Sequence, residues 1–179
     1  MDSWNVDDGP VAVVESDGTD GLPKGTRYLV AGDNGLLITA PVNLPSGEFT
    51  FSFKMYAPSP NGGGYFTFLQ KRKDILDLSA ESSSLAIGLH TTSRRTLVRK
   101  RYNSVQSFPS ITADTHSQDE WTTLKVERRI DGSYKVYTNG ILLDEFVETD
   151  VTEANFMSFQ SGDEGTRIAD VQMRRGVEQ

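Results

Sequence analysis

Cysteine is absent from this chain of 179 residues, and histidine occurs twice. The missing thiols exclude disulfide bonds, zinc sites that use cysteine and a cysteine nucleophile. His90 and His116 leave little material for a metal site or for acid–base chemistry based on imidazole. No stretch approaches the ~20 consecutive apolar residues of a membrane-spanning helix, so membrane insertion is not expected. The start of the chain lacks the basic residues and apolar run of a secretory signal, so we expect a protein that is either not exported or already trimmed.

Positive charge is scarce and unevenly placed. Hydrophobic residues at 36% and charged residues at 24% indicate a globular chain, and the length suits one domain spanning residues 1–179. The net charge is −7, yet residues 71–101 hold eight basic and three acidic side chains, a local charge of +5 against −12 for the rest. General nucleic-acid binding needs a dominant basic face, so it is not expected. The basic segment suits one anionic ligand or an acidic surface, including another copy of the chain, unless its charges are simply solvated.

The dominant periodicity of the sequence is two. Residues Phe49–Met55 alternate apolar and polar side chains without a break, which is typical of a strand with one buried face. Asp131–Gly132 and Asn139–Gly140 favour the positive φ angles of tight hairpin turns, so residues 121–146 are predicted to form a three-stranded antiparallel meander. Helical periodicity is sustained nowhere.

Many short strands with regular turns predict an all-β, antiparallel β-sandwich, jelly roll or barrel. Residues Phe108–Glu120 are predicted to be a long connection. The other predicted strands are Val11–Glu15, Tyr28–Ala31, Leu36–Thr39, Tyr65–Gln70, Leu85–His90, Thr96–Tyr102, Phe156–Gln160 and Arg167–Arg174. The predicted core contains Phe49, Phe51, Phe53, Trp121, Leu124, Val126, Val136, Phe156 and Met173.

The segments Trp121–Arg128 and Tyr134–Gly140, joined by an Asp-Gly turn, resemble the laminin-G and concanavalin A-like jelly-roll superfamily. Its domains often carry a Trp that opens a strand, a Gly-containing turn, a second strand and an Asn-Gly turn. Phe49–Met55 resembles the early long strand of that superfamily, and Phe156–Gln160 with Arg167–Met173 resembles its last two strands. The resemblance implies two stacked antiparallel sheets, one of them concave, with the Trp packed between them.

The superfamily includes glycan hydrolases and lyases, but the catalytic patterns are missing here. Its endoglucanases carry a Glu-x-Asp-x-x-Glu run on one strand, and retaining hydrolysis needs two carboxylates roughly 5–5.5 Å apart. The nearest acidic cluster, Asp144–Glu148, does not have that spacing. The His and Tyr pattern of the lyases is also absent. We therefore expect no enzymatic activity.

The resemblance also implies one structural calcium ion between the first and last strands. Calcium prefers several carboxylate and carbonyl oxygens. Glu15 and Asp170 stand in suitable places, with Asp17 or Asp33 nearby in sequence. The alternative is that these acidic residues are only solvated.

Sugar binding requires aromatic platforms and planar hydrogen-bonding side chains. The candidate ligand-binding residues are Tyr65, His90, Arg99, Arg101, Tyr102 and Gln160. Arg99 and Arg101 alternate on one predicted strand and would suit a carboxylated or sulfated glycan. The sequence thus predicts a non-catalytic, lectin-like or adhesion module that binds a glycan or a protein surface, at a cell surface or outside the cell. The alternative is a structural virion or surface-fibre protein that uses the same jelly roll to assemble with copies of itself.

Overall fold

Short alternating segments separated by turns form fourteen strands in the part of the chain that the computed structural model describes. It describes residues 5–8, 11–31, 37–41, 47–58, 63–71, 83–90, 93–152, 155–161 and 164–177. Those residues contain no helix, and hence none long and apolar enough to cross a membrane. The strands, in chain order, are β1 Asn5–Asp8, β2 Val11–Glu15, β3 Arg27–Ala31, β4 Leu37–Pro41, β5 Phe49–Tyr56, β6 Gly63–Gln70, β7 Ser83–His90, β8 Arg95–Tyr102, β9 Val105–Thr112, β10 Trp121–Arg128, β11 Ser133–Thr138, β12 Ile141–Val147, β13 Phe156–Ser161 and β14 Arg167–Arg175.

The strands form two seven-stranded antiparallel sheets. The first sheet has the order β1-β4-β13-β6-β7-β8-β9, and the second has the order β12-β11-β10-β5-β14-β3-β2. The predicted meander over residues 121–146 is confirmed, because β10, β11 and β12 are consecutive antiparallel neighbours. The two turns after β10 and β11 contain Gly132 at φ 83° and Asn139 at φ 50°, as tight hairpins require.

A cluster of phenylalanine rings lies between the sheets. Phe51 and Phe53 from β5 each lie 5.0 Å, centroid to centroid, from Phe66 of β6. All three side chains are fully buried, and the inward alternation predicted for β5 is confirmed. Leu124, Val126 and Val136 also lie in the core as predicted. Met173 is partly buried and packs against this core.

Two predicted core residues do not lie between the sheets. Leu124 points inward from β10, and side chains alternate along a strand, so Trp121 points to the outer face of the second sheet. It packs there against a small separate cluster of Leu22, Tyr28 and Ala169. The same alternation on β13 places Phe159 in the core and Phe156 on the other side.

Strand β9 contradicts the predicted connection over Phe108–Glu120, since it spans Val105–Thr112. Its sequence has no clean alternation, and Pro109 argues against a central strand. Proline is tolerated in β9 because that strand ends the first sheet. The short strand β1 was not predicted either.

Candidate functional site

The structure brings four of the predicted ligand-binding residues together on the outer face of the first sheet. Phe66 and Val98 point into the core, so Tyr65 on β6 and Arg99 on β8 point outward. The guanidinium carbon of Arg99 lies 4.1 Å from the centre of the Tyr65 ring. Arg101 lies two residues further along β8, and Gln160 of β13 is paired with Tyr65 in the sheet register. We call Tyr65, Arg99, Arg101 and Gln160 the arginine–tyrosine cluster.

Burial weakens the hydration of the positive charges in this cluster. Arg99 is only 8% exposed, and desolvation, aided by the neighbouring charge of Arg101, lowers its pKa to about 10. Desolvation also lowers the pKa of Arg101 and raises the pKa of Tyr65. Arg99 therefore stays protonated at neutral pH. Within the described residues, no carboxylate forms an ion pair with Arg99, so its charge is balanced there only by the face of the Tyr65 ring.

Polar atoms beside the cluster also lack partners. The Gln160 Oε1 atom and the Thr67 Oγ1 atom are buried and form no hydrogen bond within the described part of the chain. Thr67 lies two residues from Tyr65 on β6, with Phe66 pointing into the core between them. An unpaired buried polar atom costs about 1–3 kcal/mol, so a ligand that supplied hydrogen bonds here would gain that amount. Thr67 was missed in the sequence, although its alternation with Tyr65 could have identified it.

Two other predicted ligand residues lie apart from the cluster. Tyr102 packs against the core, with the Lys100 ammonium group 5.3 Å from its ring, and therefore faces the opposite side of the sheet from Arg101. His90 is exposed at the end of β7, where its Nδ1 atom lies 3.1 Å from the Ser93 hydroxyl.

Two basic residues of the segment that lie outside the cluster form ion pairs with acidic side chains. Lys100 lies 2.6 Å from both the Glu148 and the Asp150 carboxylates. Arg94 forms an ion pair with Asp114. Within the cluster, Arg99 has no acidic partner among the described residues, in contrast to Lys100 and Arg94.

The acidic side chains of the cluster Asp144–Glu148 form contacts within the fold. Glu145 lies 3.2 Å from Lys135 on the neighbouring strand. Glu148 is buried, and its Oε1 atom accepts hydrogen bonds from the backbone N–H groups of Asp150 and Val151. These contacts give each of the two carboxylates a positive or N–H partner.

The two residues predicted to bind calcium, Glu15 and Asp170, lie on different strands and have different surroundings. Asp170, on β14, lies 2.8 Å from the Lys54 ammonium group, while Glu15 is exposed on β2. Among the described residues, no group of three His, Cys, Asp or Glu side chains is arranged to hold a metal ion. Asp33 lies outside the described residues. Calcium binding at Glu15 and Asp170 stays a prediction.

Similarity to known proteins is found in structure and not in sequence: no protein-family model matches the chain, and no curated protein matches it. The globular domain of T. cruzi calreticulin aligns with a TM-score of 0.72 and 15% identity, over 99% of this chain and 85% of that one. The carbohydrate-binding module CBM66 from Bacillus subtilis aligns with a TM-score of 0.66 and 14% identity, over 96% and 95% of the two chains. The Caenorhabditis elegans galectin LEC-6 aligns with a TM-score of 0.57 and 12% identity, over 76% and 89%.

These alignments cover at least 76% of this chain and at least 85% of each matched chain, and at such low identities they carry information on the fold alone. Together with the two antiparallel sheets they confirm the architecture predicted from the sequence. The chain has the concanavalin A-like jelly-roll fold.

Proposed function

We propose that this protein is a non-catalytic, lectin-like module that binds carboxylated or sulfated glycans through the arginine–tyrosine cluster. The single observation that carries this proposal is the Arg99 guanidinium, which is buried on Tyr65 without a described carboxylate partner. A desolvated guanidinium gains more from an anionic group than a solvated one does, because the local dielectric is low. Its planar fork also matches the two oxygens of a carboxylate or a sulfate.

The surroundings of the two arginines support a sugar as the carrier of that negative charge. Tyr65 offers an aromatic surface, and Gln160 and Thr67 offer polar atoms that lack partners within the described chain. An aromatic surface beside a few convergent polar groups is the usual composition of a site for a small polar ligand. Two of the similar structures are named as a carbohydrate-binding module and a galectin.

The absence of a catalytic role is part of the same proposal. The candidate acids are engaged, Glu145 by Lys135 and Glu148 by Lys100. His90 is exposed, and its described partner is Ser93. None of the three lies in the arginine–tyrosine cluster, so a glycan bound there would meet no described acid–base pair.

A glycan array with matched sulfated, carboxylated and neutral members tests the proposal. Arg99→Lys keeps the charge but removes the planar fork, and Arg101→Ala removes one charge at the more exposed position. Each change should weaken binding of the anionic glycans about tenfold, the value of one charge-assisted hydrogen bond. Arg129→Ala, an exposed arginine beyond the end of β10, is the matched control and should leave binding unchanged.

Two results would overturn the proposal. One is an array on which no anionic glycan binds the wild-type protein. The other is binding that Arg99→Lys and Arg101→Ala leave intact while the unfolding temperature is unchanged. Release of reducing ends or unsaturated products from any bound glycan would overturn its non-catalytic part.

A second candidate function is assembly with copies of the same chain. It is favoured by apolar side chains exposed on β9 and β12, the strands that end the two sheets on the same side. The exposed residues are Val105, Phe108, Ile111, Ile141, Leu142 and Val147. An exposed apolar sheet edge with unpaired backbone groups is suited to pairing with another strand.

A further inference from the structure

A cleft of about 520 Å³ lies on the outer face of the second sheet, away from the arginine–tyrosine cluster. Its lining includes Asp20, Tyr56, Asp119, Trp121 and Arg167. Pockets for small ligands commonly have volumes of about 300–1,000 Å³, so one or two sugar units fit this space. We call it the tryptophan cleft.

The strand register builds the floor of the cleft. Tyr56 at the end of β5 is paired with Trp121 of β10 on one side and with Arg167 of β14 on the other. Because Met55 points into the core, Tyr56 points outward and its two neighbours stand beside it on the same face. Three adjacent strands therefore present an indole, a phenol and a guanidinium in one row.

Trp121 is held in one orientation. Its Nε1–H group donates a hydrogen bond of 2.8 Å to the backbone carbonyl of Asp20. The ring of Tyr28 meets the indole edge-on at 5.6 Å, and the ring of Tyr56 lies 5.8 Å away. A Cβ atom on Gly21 would lie 3.2 Å from the indole Cδ1 atom, so the loop of residues 16–22 passes close to the ring. This fixed ring needs no reordering when a ligand packs against it.

Arg167 provides hydrogen-bond donors that the described chain leaves unused. Its guanidinium carbon lies 4.5 Å from the centre of the Tyr56 ring and 5.8 Å from that of Tyr28. Its Nε atom is buried without a hydrogen-bond partner, and no carboxylate within the described residues forms an ion pair with it. Both rings lie within the cation–π range of about 6 Å, and the donors of a guanidinium are directed along its plane.

Acceptors stand next to these donors. Asp119 and Glu120 line the cleft together with Asp20, and the Asp119 Oδ1 atom lies 3.4 Å from the Tyr56 hydroxyl. Sugar hydroxyl groups both donate and accept, so a guanidinium and a carboxylate around aromatic rings suit a pair of neighbouring hydroxyls. Three carboxylates against one guanidinium make the cleft negative, which disfavours a carboxylated or sulfated sugar.

We propose that the tryptophan cleft is a second ligand-binding site, which takes a neutral sugar unit. The sugar ring packs on Trp121 and Tyr56 while its hydroxyls bridge Arg167 and Asp119. This site differs from the arginine–tyrosine cluster in sheet, in residues and in the charge of its ligand. It does not depend on the function proposed for that cluster.

Titration with four neutral probes tests the inference: maltotriose, cellotriose, mannotriose and lactose. The chain has two tryptophans, so a Trp4→Phe background leaves Trp121 as the only indole for fluorescence, and calorimetry gives the dissociation constant. We expect at least one probe to change the emission and to bind. Arg167→Gln removes the guanidinium but keeps a polar side chain, and Asp119→Asn keeps the shape but removes the charge; each should raise that dissociation constant about tenfold.

Controls separate this site from the first. Arg99→Lys should leave neutral-sugar binding unchanged, and glucuronic acid should not compete with the neutral probe. Trp121→Ala should abolish binding, but this change also removes packing, so the conclusion depends on the two polar variants. The inference is overturned if none of the four probes binds, or if binding survives both Arg167→Gln and Asp119→Asn. It is also overturned if Arg99→Lys removes neutral-sugar binding.

Discussion

A Cβ atom on Gly88 would lie 2.8 Å from the Cδ1 atom of the Tyr65 ring. It would also collide with the backbone carbonyl oxygen of Gly64. Gly88 lies on β7 between β6 and β8 and is paired with Tyr65. The absence of its side chain therefore gives the Tyr65 ring the space in which Arg99 reaches it from β8.

Gly88→Ala should damage both the sheet and the arginine–tyrosine cluster. The added methyl group must displace backbone as well as the Tyr65 ring, and overpacking of this kind costs about 1–3 kcal/mol or more. Urea unfolding measures the loss, and anionic-glycan affinity should fall with it. Gly47→Ala is the matched control, since a Cβ atom there meets nothing within 4 Å. Equal unfolding midpoints for Gly88→Ala and the wild-type protein would contradict this account.

The ion pair between Lys100 and Glu148 links the first sheet to the chain that follows β12. The Glu148 side chain is 4% exposed. Glu148→Gln keeps the shape but leaves Lys100 with one carboxylate, and removing one member of a buried pair costs up to about 3–5 kcal/mol. Because Lys100 is partly solvated, we expect about 2 kcal/mol in urea unfolding. Glu145→Gln, at a more exposed pair, should cost no more than about 1 kcal/mol, and equal costs at the two sites would refute the expectation.

The same ion pair predicts that the stability of the fold depends on pH in the alkaline range. Desolvation lowers the pKa of Lys100, but hydrogen bonds and charge from Asp150 and Glu148 outweigh it, so the folded pKa lies above 10.5. Stability from this group is therefore complete below the unfolded value and is lost as the pH rises through the folded value. Stability curves above about pH 10 should fall more steeply for wild type than for Lys100→Met. Parallel curves would show that Lys100 does not contribute.

His116 predicts a pH dependence of the opposite sign. Its two ring nitrogens are buried and unpartnered within the described residues. Desolvation, followed by the charges of Arg94 and His90, lowers its pKa below 6.5. The unfolded chain takes up a proton near that value and the folded chain does not, so stability should fall as the pH drops below it.

Replacing His116 by an apolar residue should remove that slope. His116→Phe should unfold at a higher temperature than the wild type at about pH 5, with a smaller difference at about pH 7.5. Differential scanning calorimetry across this range provides the test. His90→Gln removes only the smallest of the three causes named for His116, so its curve should lie closer to that of the wild type than the curve of His116→Phe does. An unchanged slope in His116→Phe would mean that other groups cause the acid sensitivity.

Local signals explain which parts of the fold the sequence could predict. Alternation over Phe49–Met55 and the two Gly-containing turns each act within one strand or hairpin, and both predictions were confirmed. Trp121 was predicted to lie between the sheets because the resemblance to the superfamily was given more weight than the alternation along the strand. Its alternation with Leu124 already assigns Trp121 to the outer face. Strand β9 was not predicted because a strand at the edge of a sheet does not need to alternate apolar and polar side chains.

The arginine–tyrosine cluster could be predicted only in part. Alternation placed Arg99 and Arg101 on one face, but the contact with Tyr65 depends on the register of three strands and on Gly88 between them. The tryptophan cleft depends on β10, β5 and β14, whose paired residues are distant in sequence. Such non-local pairings leave no pattern within a single segment.

Exposed apolar residues on the end strands give the last prediction, which concerns assembly. Ile111 on β9 is 51% exposed and Val147 on β12 is 69% exposed. If copies pair through this side, the mass in solution should exceed the 19.8 kDa of one chain and should rise with concentration. A lysine on a sheet edge disfavours such pairing, so Ile111→Lys with Val147→Lys should restore the mass of one chain.

Light scattering after size exclusion measures this mass, and Ile130→Lys in an exposed turn is the control that should leave it unchanged. Salt distinguishes the forces involved. Apolar edge contacts persist at high ionic strength, whereas contacts made by Arg101 with acidic surfaces are screened within about 8–10 Å at physiological ionic strength. Assembly that survives added salt and disappears in the double lysine variant would assign it to β9 and β12. A wild-type protein that keeps the mass of one chain at every concentration would exclude assembly and leave glycan binding as the function to pursue.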